Sequence, residues 1–143
     1  MINFKVKLLT QGCLPTKGSK FAAGWDLRAA KNCVVRPDET VLVQCGIMVE
    51  LPEDCAAFLQ PRSGLALRHG ITIANTPGLC DSDFRNEYCV LLRNEGSCPF
   101  EVKIGDRIAQ MVIKRLEPTE LEVVEELSET GRGLGGFGSS GIK

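Results

Sequence analysis

The chain of 143 residues lacks the features that would direct it to a membrane, to nucleic acid or out of the cell. Its longest apolar runs fall well short of the roughly 20 residues that a membrane-spanning helix needs. Its formal net charge is −1, so it has no basic excess to attract a phosphate backbone. The first residues contain no apolar core of a secretory signal. We therefore expect a cytoplasmic protein, or a nuclear one in a eukaryotic or viral host, that is not secreted and binds neither membrane nor nucleic acid.

Paired metal-ligand spacings are also missing, although the chain contains seven cysteines. No Cys-x-x-Cys pair occurs and His69 is the single histidine, whereas structural zinc sites use ligands paired at short spacings. The odd number of cysteines disfavours a complete set of disulfides. We expect reduced cysteines that pack as small apolar side chains.

Alternation with a period of two residues is the dominant pattern, and it predicts an all-β fold. Such alternation is typical of strands that place one face on a core. Frequent prolines and glycines between the runs favour a sandwich or barrel of short strands. Residues 63–70 predict one or two helical turns. The alternating runs are Phe4, Val6 and Leu8; Val41, Val43, Cys45, Ile47, Val49 and Leu51; Phe100, Val102 and Ile104; and residues 108–113.

Residues 129–143 differ from the rest of the chain because they are rich in glycine. Ordering such a segment costs backbone entropy and buries few side chains. A chain end without a role is one interpretation, but Arg132 and Phe137 offer a charge and a stacking ring among the glycines. We therefore expect residues 129–143 to be disordered until they close on something.

Two polar segments carry the candidate chemistry. Residues 61–66 combine an arginine fork, a hydroxyl and a glycine that lets the backbone approach an oxyanion. An ordinary turn with a surface arginine is equally compatible with those six residues. Residues 75–89 are interpreted as a β-hairpin crowded with polar groups, with Asp81 where strand meets loop. Aspartates near a turn are commonly turn formers, but this position also suits a rigidly held general base.

Together with three further segments, these resemble the five motifs of the trimeric dUTP pyrophosphatase family. The segments follow the family's order and spacing and span nearly the whole chain. The resemblance implies a distorted jelly-roll-like β-barrel that assembles as a homotrimer, with active sites at subunit interfaces. It also implies a β-barrel domain at 1–128 and a mobile active-site tail of the same domain at 129–143. The five segments are 22–27 (AAGWDL), 61–66 (PRSGLA), 78–87 (GLCDSDFRNE), 105–110 (GDRIAQ) and 132–141 (RGLGGFGSSG).

The resemblance further implies an enzyme that hydrolyses dUTP to dUMP and pyrophosphate with Mg²⁺ as cofactor. Such an enzyme keeps uracil out of DNA and supplies dUMP for dTMP synthesis. Asp81 corresponds to the general base that activates a water for attack on the α-phosphorus, and Asp26 to a residue that orients water ligands of the metal. The phosphates would be held by Arg62, Ser63, Gly64, Gln110, Arg132, Ser139 and Ser140, and the uracil and deoxyribose by Asn75, Leu79, Cys80, Phe84, Cys89, Phe137 and Gly138.

Three positions depart from the family pattern. Trp25 stands where the family usually has tyrosine, and Phe84 likewise lacks the common hydroxyl. The ring of Phe84 would still exclude a ribose 2′-hydroxyl by shape. Asn86 replaces a common glycine, and because asparagine tolerates positive φ we expect the turn to be kept.

Two other functions stay open. A dCTP deaminase shares this fold by family resemblance but needs a glutamate beside the base, and no glutamate stands at a matching position. A non-catalytic nucleotide sensor would bind dUTP without releasing pyrophosphate.

Overall fold

A computed structural model describes residues 1–136, which form ten β-strands and one short helix. The all-β prediction is confirmed, and the helical turns predicted within residues 63–70 are the single helix of this range. The strands are β1 (Lys5–Leu8), β2 (Trp25–Arg28), β3 (Cys33–Val35), β4 (Thr40–Glu50), β5 (Cys55–Gln60), β6 (Ile71–Ile73), β7 (Gly78–Cys80), β8 (Glu87–Asn94), β9 (Phe100–Val102) and β10 (Arg107–Arg115), and the helix is α1 (Ser63–His69).

Two four-stranded antiparallel sheets enclose one hydrophobic core, as in a jelly roll. The first sheet has the order β1-β4-β8-β6 and the second β2-β10-β5-β7, while β3 and β9 form a separate pair. Both large sheets contribute fully buried side chains to the same cluster, among them Ile47 and Tyr88 from the first and Leu27 and Met111 from the second. The alternating pattern therefore encodes the inner faces of two opposed sheets.

Strand β4 shows how the sequence pattern and the fold agree. Val43, Cys45, Ile47 and Val49 are buried, as the alternation predicts. The register with β8 shifts between Gln44 and Met48, which marks a bulge. Gly46 occupies the bulge with φ +66°, and a Cβ there would lie 2.7 Å from the Cβ of Thr10. The bulge therefore requires glycine.

The β-hairpin predicted over residues 75–89 is wrong. Strand β7 pairs with β5, whereas β8 pairs with β4 and β6, so residues 81–86 cross from one sheet to the other. The carboxylate of Glu87 holds the start of β8 in the first sheet. It accepts hydrogen bonds from Gln44 Nε2 at 2.7 Å and from the backbone N–H of Gly46 at 2.9 Å. The two strands diverge because β8 is tied to the β4 bulge.

The N-terminal residues and β2 meet in an aromatic contact. The rings of Phe4 and Trp25 pack edge to face with centroids 5.5 Å apart, and Lys17 Nζ lies 5.3 Å above the indole. Residues 1–4 and Trp25 line a cavity of about 560 Å³.

The segment that follows β10 carries apolar side chains without a packing partner in the described part of the chain. Leu121, Val123 and Leu127 are 85%, 89% and 87% exposed. Within residues 1–136, no helix has the length and apolar character to cross a membrane. All seven cysteines lie in this range as free thiols.

Candidate functional site

A gap between the diverging strands β7 and β8 forms a cavity of about 360 Å³, called here the sheet gap. Asp81 lies at its mouth, immediately after β7, with an exposed side chain. The gap therefore combines apolar walls with two carboxylate residues, Asp81 after β7 and Glu87 at the start of β8. It is lined by Leu42, Leu79, Cys80, Asp81, Phe84, Asn86, Glu87 and Cys89.

Backbone groups border the sheet gap on both sides. Strand β7 is the edge strand of the second sheet, so one side of it has no strand partner within residues 1–136. Strand β6 pairs with β8 only at residues 92–94, which leaves the start of β8 without a partner strand on that side. Edge strands present rows of free N–H and C=O groups. A flat molecule with alternating donors and acceptors can bind between these two edges.

The turn from residue 81 to residue 86 is braced by hydrogen bonds of its own. The N–H of Phe84 donates to the Asp81 carbonyl at 3.3 Å, and Arg85 Nη1 donates to the Ser82 carbonyl at 2.5 Å. Asn86 does not adopt the positive φ that the family comparison suggested, since Asp38 is the one non-glycine residue with positive φ in residues 1–136. Its side chain instead accepts the N–H of Glu87 at 2.7 Å. The turn keeps Asp81 in place without a left-handed residue.

An aromatic pair supports the floor of the sheet gap. Phe84 is 41% exposed, and its ring centroid lies 5.9 Å from that of the fully buried Tyr88. The Tyr88 hydroxyl has no hydrogen-bond partner among the described residues, although the Cys80 thiol is a close neighbour. Burial raises the pKa of Cys80 to about 11 and also raises the pKa of Cys89. Both thiols therefore stay protonated at neutral pH and act as small apolar groups.

A second cavity, of about 410 Å³, lies over β2, β10 and β5 and is called here the arginine cavity. Asp26, Gln110 and Gln60 are partners in register on these three strands, so their side chains form one row on one face of the sheet. Gly24 approaches the row closely, and a Cβ at this position would lie 3.3 Å from Gln110 Cβ. The cavity is lined by Gly18, Ala22, Ala23, Gly24, Asp26, Gln60, Arg62, Arg107, Gln110 and Val112.

Among the described residues, Asp26 is the only carboxylate that lines the arginine cavity, and two guanidinium groups share it. The residue is 5% exposed. Arg62 Nε lies 3.3 Å from one carboxylate oxygen and Arg107 Nη1 lies 3.3 Å from the other. Arg62 Nη1 also donates to the Arg107 carbonyl at 2.9 Å. Two cations and one anion leave the cavity with one net positive charge, which favours an anionic ligand.

The remaining predicted phosphate ligands lie either beside the arginine cavity or in the C-terminal segment. Ser63 and Gly64 lie in the first turn of α1, directly after Arg62, whose extended backbone (φ −93°, ψ 126°) precedes the helix. Arg132 lies outside both cavities and donates through Nε to the Gly135 carbonyl at 2.8 Å, within its own turn. Phe137, Gly138, Ser139 and Ser140 lie outside the described residues.

Asn75 does not line the sheet gap in the described structure. It is exposed on the connection from β6 to β7, and its amide would be 3.5 Å from a Cβ placed on Gly78. It therefore lies at the opposite end of β7 from Asp81. Leu79, Cys80, Phe84 and Cys89, the other described residues predicted to contact the nucleoside, do line the gap.

Within one chain the two cavities are separate. On β5, Gln60 pairs with Gln110 of the arginine cavity, whereas Ala57 pairs with Cys80, the residue before Asp81. Three residues of an extended strand span about 10 Å. A single chain therefore does not bring Asp81 against Arg62 and Asp26.

Comparison with known proteins assigns this arrangement to a family. A family model described as dUTPase matches residues 10–141. The chain belongs to the dUTPase family. It is 45% identical over 141 residues to the deoxyuridine 5'-triphosphate nucleotidohydrolase of Nautilia profundicola, covering 98% of this chain and 99% of that protein. It is 44% identical to the protein of the same name from Clostridioides difficile, with 99% and 100% covered.

A solved dUTPase structure has the same fold. The chain superposes on the dUTPase of Staphylococcus bacteriophage 80alpha with dUPNHPP at a TM-score of 0.89 and 27% sequence identity, covering 98% of this chain and 99% of that one. The jelly-roll-like prediction for this dUTPase-family chain is thereby confirmed.

Ten of the residues that line the two cavities were not among the predicted site residues, including three with long polar or charged side chains. Gln60 and Arg107 line the arginine cavity and Glu87 lines the sheet gap. Arg107 and Glu87 fall within the motif segments, and Gln60 directly precedes one. The segments therefore indicated the region of the site, but the hydrogen-bond partners of Arg107 and Glu87 lie 41 or more positions away in sequence.

Proposed function

We propose that this dUTPase-family protein hydrolyses dUTP to dUMP and pyrophosphate. The observation that carries the proposal is the near-full-length match to nucleotidohydrolases of that name, at 45% and 44% identity. The sheet gap, with Asp81 at its mouth, offers largely apolar walls for a base and sugar. The positively charged arginine cavity offers cations for the phosphates.

The sheet gap is the proposed uracil site. One edge of uracil alternates acceptor, donor and acceptor, which would complement backbone groups of Leu79, Cys80 and Cys89 that face the gap. Cytosine would present a donor where uracil presents an acceptor, and the buried groups would then be left unpaired. Selection of this kind can reach about 10⁴–10⁵-fold. Phe84, supported by Tyr88, would pack against the deoxyribose and leave no space for a 2′-hydroxyl.

Asp81 is the proposed general base. Its carboxylate would accept a proton from a water that attacks the α-phosphorus. The new bond joins the water oxygen to the phosphorus, and the bond to the bridging oxygen breaks, so that pyrophosphate leaves and dUMP remains. General base catalysis contributes about 10²–10⁴-fold. The exposed position of Asp81 beside the turn gives water access to the carboxylate.

The arginine cavity is the proposed phosphate site, with Arg62, Ser63, Gly64 and Gln110 as ligands. Within the described residues, no three His, Cys, Asp or Glu side chains come together to hold a metal. Asp26 alone suits Mg²⁺ that arrives with the nucleotide, because this ion keeps several waters and is commonly bound by one or two carboxylates plus phosphates. When bound, Mg²⁺ neutralises phosphate charge, and Asp26 would contact it through water.

We propose a homotrimer in which neighbouring subunits complete each site. The offset of about 10 Å along β5 between the two cavities supports this assembly, because Asp81 and the arginine pair of one chain do not meet at one point. The apolar side chains exposed after β10 offer surface that a neighbour can cover. We also propose that residues 129–143 act as an active-site tail of the barrel domain at 1–128, with Arg132 on the phosphate chain.

Pyrophosphate release from dUTP, dTTP, dCTP and UTP, with and without Mg²⁺, tests the activity. We expect release from dUTP alone, and light scattering should give three times the chain mass. Ammonia released from dCTP would indicate a deaminase instead, and saturable dUTP binding without pyrophosphate release would indicate a sensor.

Asp81→Asn tests the assignment of the base. We expect dUTP binding to be kept and turnover to fall by at least about 100-fold. Asp83→Asn is the matched control, since Asp83 is an exposed aspartate on the same turn that does not line the sheet gap. Turnover near that of the wild type in Asp81→Asn would remove this residue from its proposed role.

A further inference from the structure

The arginine cavity contains a second guanidinium, that of Arg107, to which the proposed substrate contacts assign no role. Arg107 begins β10, at the point where its register with β2 shifts between Arg107 and Ala109. Such an irregularity changes the direction of a side chain relative to a regular strand. Here it accompanies the contact of Arg107 Nη1 with Asp26 at 3.3 Å.

We propose that Arg107 is a positioning residue of the phosphate site, which holds Asp26 and thereby leaves the Arg62 guanidinium available to the triphosphate. The inference rests on the proposed function, because it assigns a role in binding the phosphate chain. Arg107 acts through Asp26 and needs no contact of its own with the nucleotide.

The charge distribution carries the argument. Asp26 is almost fully buried, and a buried carboxylate must be paired. With Arg107 present, the two carboxylate oxygens are divided between two guanidiniums, and Arg62 contacts only one of them. Without Arg107, Arg62 would be the sole cation beside Asp26, and the pair would be neutral. The cavity would then lose its net positive charge and the phosphates their main attraction.

Arg62 is the more buried of the two guanidinium groups: its side chain is 24% exposed and that of Arg107 is 47% exposed. Arg62 is also held from the other side, since its Nη1 donates to the backbone carbonyl of Arg107. Arg107 therefore contacts the Asp26–Arg62 pair twice, through its guanidinium and through its carbonyl. The side-chain contact is the one that a substitution removes.

The experiment compares Arg107→Gln, Arg107→Lys and Arg115→Gln. Arg115 is the matched control, because it lies on the same strand and pairs with an aspartate, Asp54, outside both cavities. Binding of dUMP and of an imido analogue of dUTP is measured by calorimetry, and KM and kcat are measured for dUTP. Light scattering and thermal unfolding check the assembly of each variant.

We expect Arg107→Gln to weaken binding of the triphosphate analogue by about 10- to 100-fold, the range for hydrogen bonds to charged groups. Binding of dUMP should change less than about twofold, and KM should rise while kcat stays within about threefold. Arg107→Lys should recover part of the loss, because it keeps the charge but loses the planar fork. Arg115→Gln should bind both ligands as the wild type does.

Three results would overturn the inference. The first is an Arg107→Gln variant that binds the analogue as the wild type does. The second is an equal loss of binding of both ligands, or a loss of assembly, in both the Arg107→Gln and the Arg107→Lys variants. That result would indicate a structural role only. The third is a loss of the same size in Arg115→Gln. Wild-type protein that bound neither ligand would instead contradict the proposed function, so the two failures are distinguishable.

Discussion

Glu87 provides the sharpest test of how the sheet gap is kept open. Its carboxylate accepts one hydrogen bond from Gln44 Nε2 at 2.7 Å and one from the Gly46 N–H at 2.9 Å. Hydrogen bonds to a charged group contribute about 1.5–3 kcal/mol each, and a buried donor left without a partner loses its full desolvation cost. Gly46 is buried, whereas Gln44 is half-buried and can bind water instead. We therefore expect Glu87→Ala to lower the free energy of unfolding by about 3 kcal/mol.

Glu87→Gln should cost much less. The new side chain keeps one oxygen for the Gly46 N–H, and its amide nitrogen can donate to Gln44 once the Gln44 amide turns over. Only the charge assistance is lost, so we expect a decrease of about 1 kcal/mol. For a chain of this size 1 kcal/mol corresponds to about 3–4 °C, so the melting temperature should fall by about 10 °C in the alanine variant and about 3 °C in the glutamine variant.

Urea and thermal unfolding, followed by Trp25 fluorescence at one fixed protein concentration, would measure both changes. Glu101→Ala is the control, because Glu101 is exposed on β9 and its side chain makes no hydrogen bond or ion pair within residues 1–136. It should stay within about 0.5 kcal/mol of the wild type. Equal destabilisation by the alanine and glutamine substitutions would refute the reasoning. It would show that the Gln44 amide does not turn over to accept a hydrogen bond from the new glutamine.

Three further changes test other parts of the structure. Tyr88→Phe removes a buried hydroxyl that, within residues 1–136, has only the Cys80 thiol as a close polar neighbour. It should raise the free energy of unfolding by about 1 kcal/mol in urea titrations; a loss of stability would mean that the hydroxyl is hydrogen-bonded. Gly46→Ala should cost at least about 2 kcal/mol, because φ is positive and the new Cβ would lie 2.7 Å from Thr10; an unchanged melting temperature would contradict this. Alkylation followed by mass spectrometry at pH 8 should label the exposed Cys98 first. Cys80, whose pKa burial raises to about 11, has only about one thousandth of its thiol ionised at that pH, and its labelling should rise about tenfold per pH unit up to about pH 11.

The sequence predicts the local structure of this chain better than its long-range pairings. The alternation in β4 and the short helix α1 are both visible in the residues themselves. The supposed hairpin was wrong because β8 pairs with β4 and β6 instead of β7, and its Glu87 contacts the β4 bulge 41 positions earlier. No window of neighbouring residues contains that information.

The candidate site shows the same limit. Asp81 and Phe84 could be placed at the mouth of a pocket from motif and turn chemistry. The pairing of Arg107 with Asp26 joins residues 81 positions apart and follows from the order of strands in the second sheet. The separation of the two cavities likewise depends on register along β5. These features can be recognised only once the folded structure is known.

The contact between Phe4 and Trp25 has a practical consequence for handling the protein. Trp25 is the only indole in the chain and directly precedes Asp26 on β2. Because successive side chains on a strand point to opposite faces, its emission should report on β2 from the side away from the nucleotide, without a dye. An affinity tag fused ahead of Met1 would enter the surroundings of this fluorophore, so a tag for spectroscopic work is better removed.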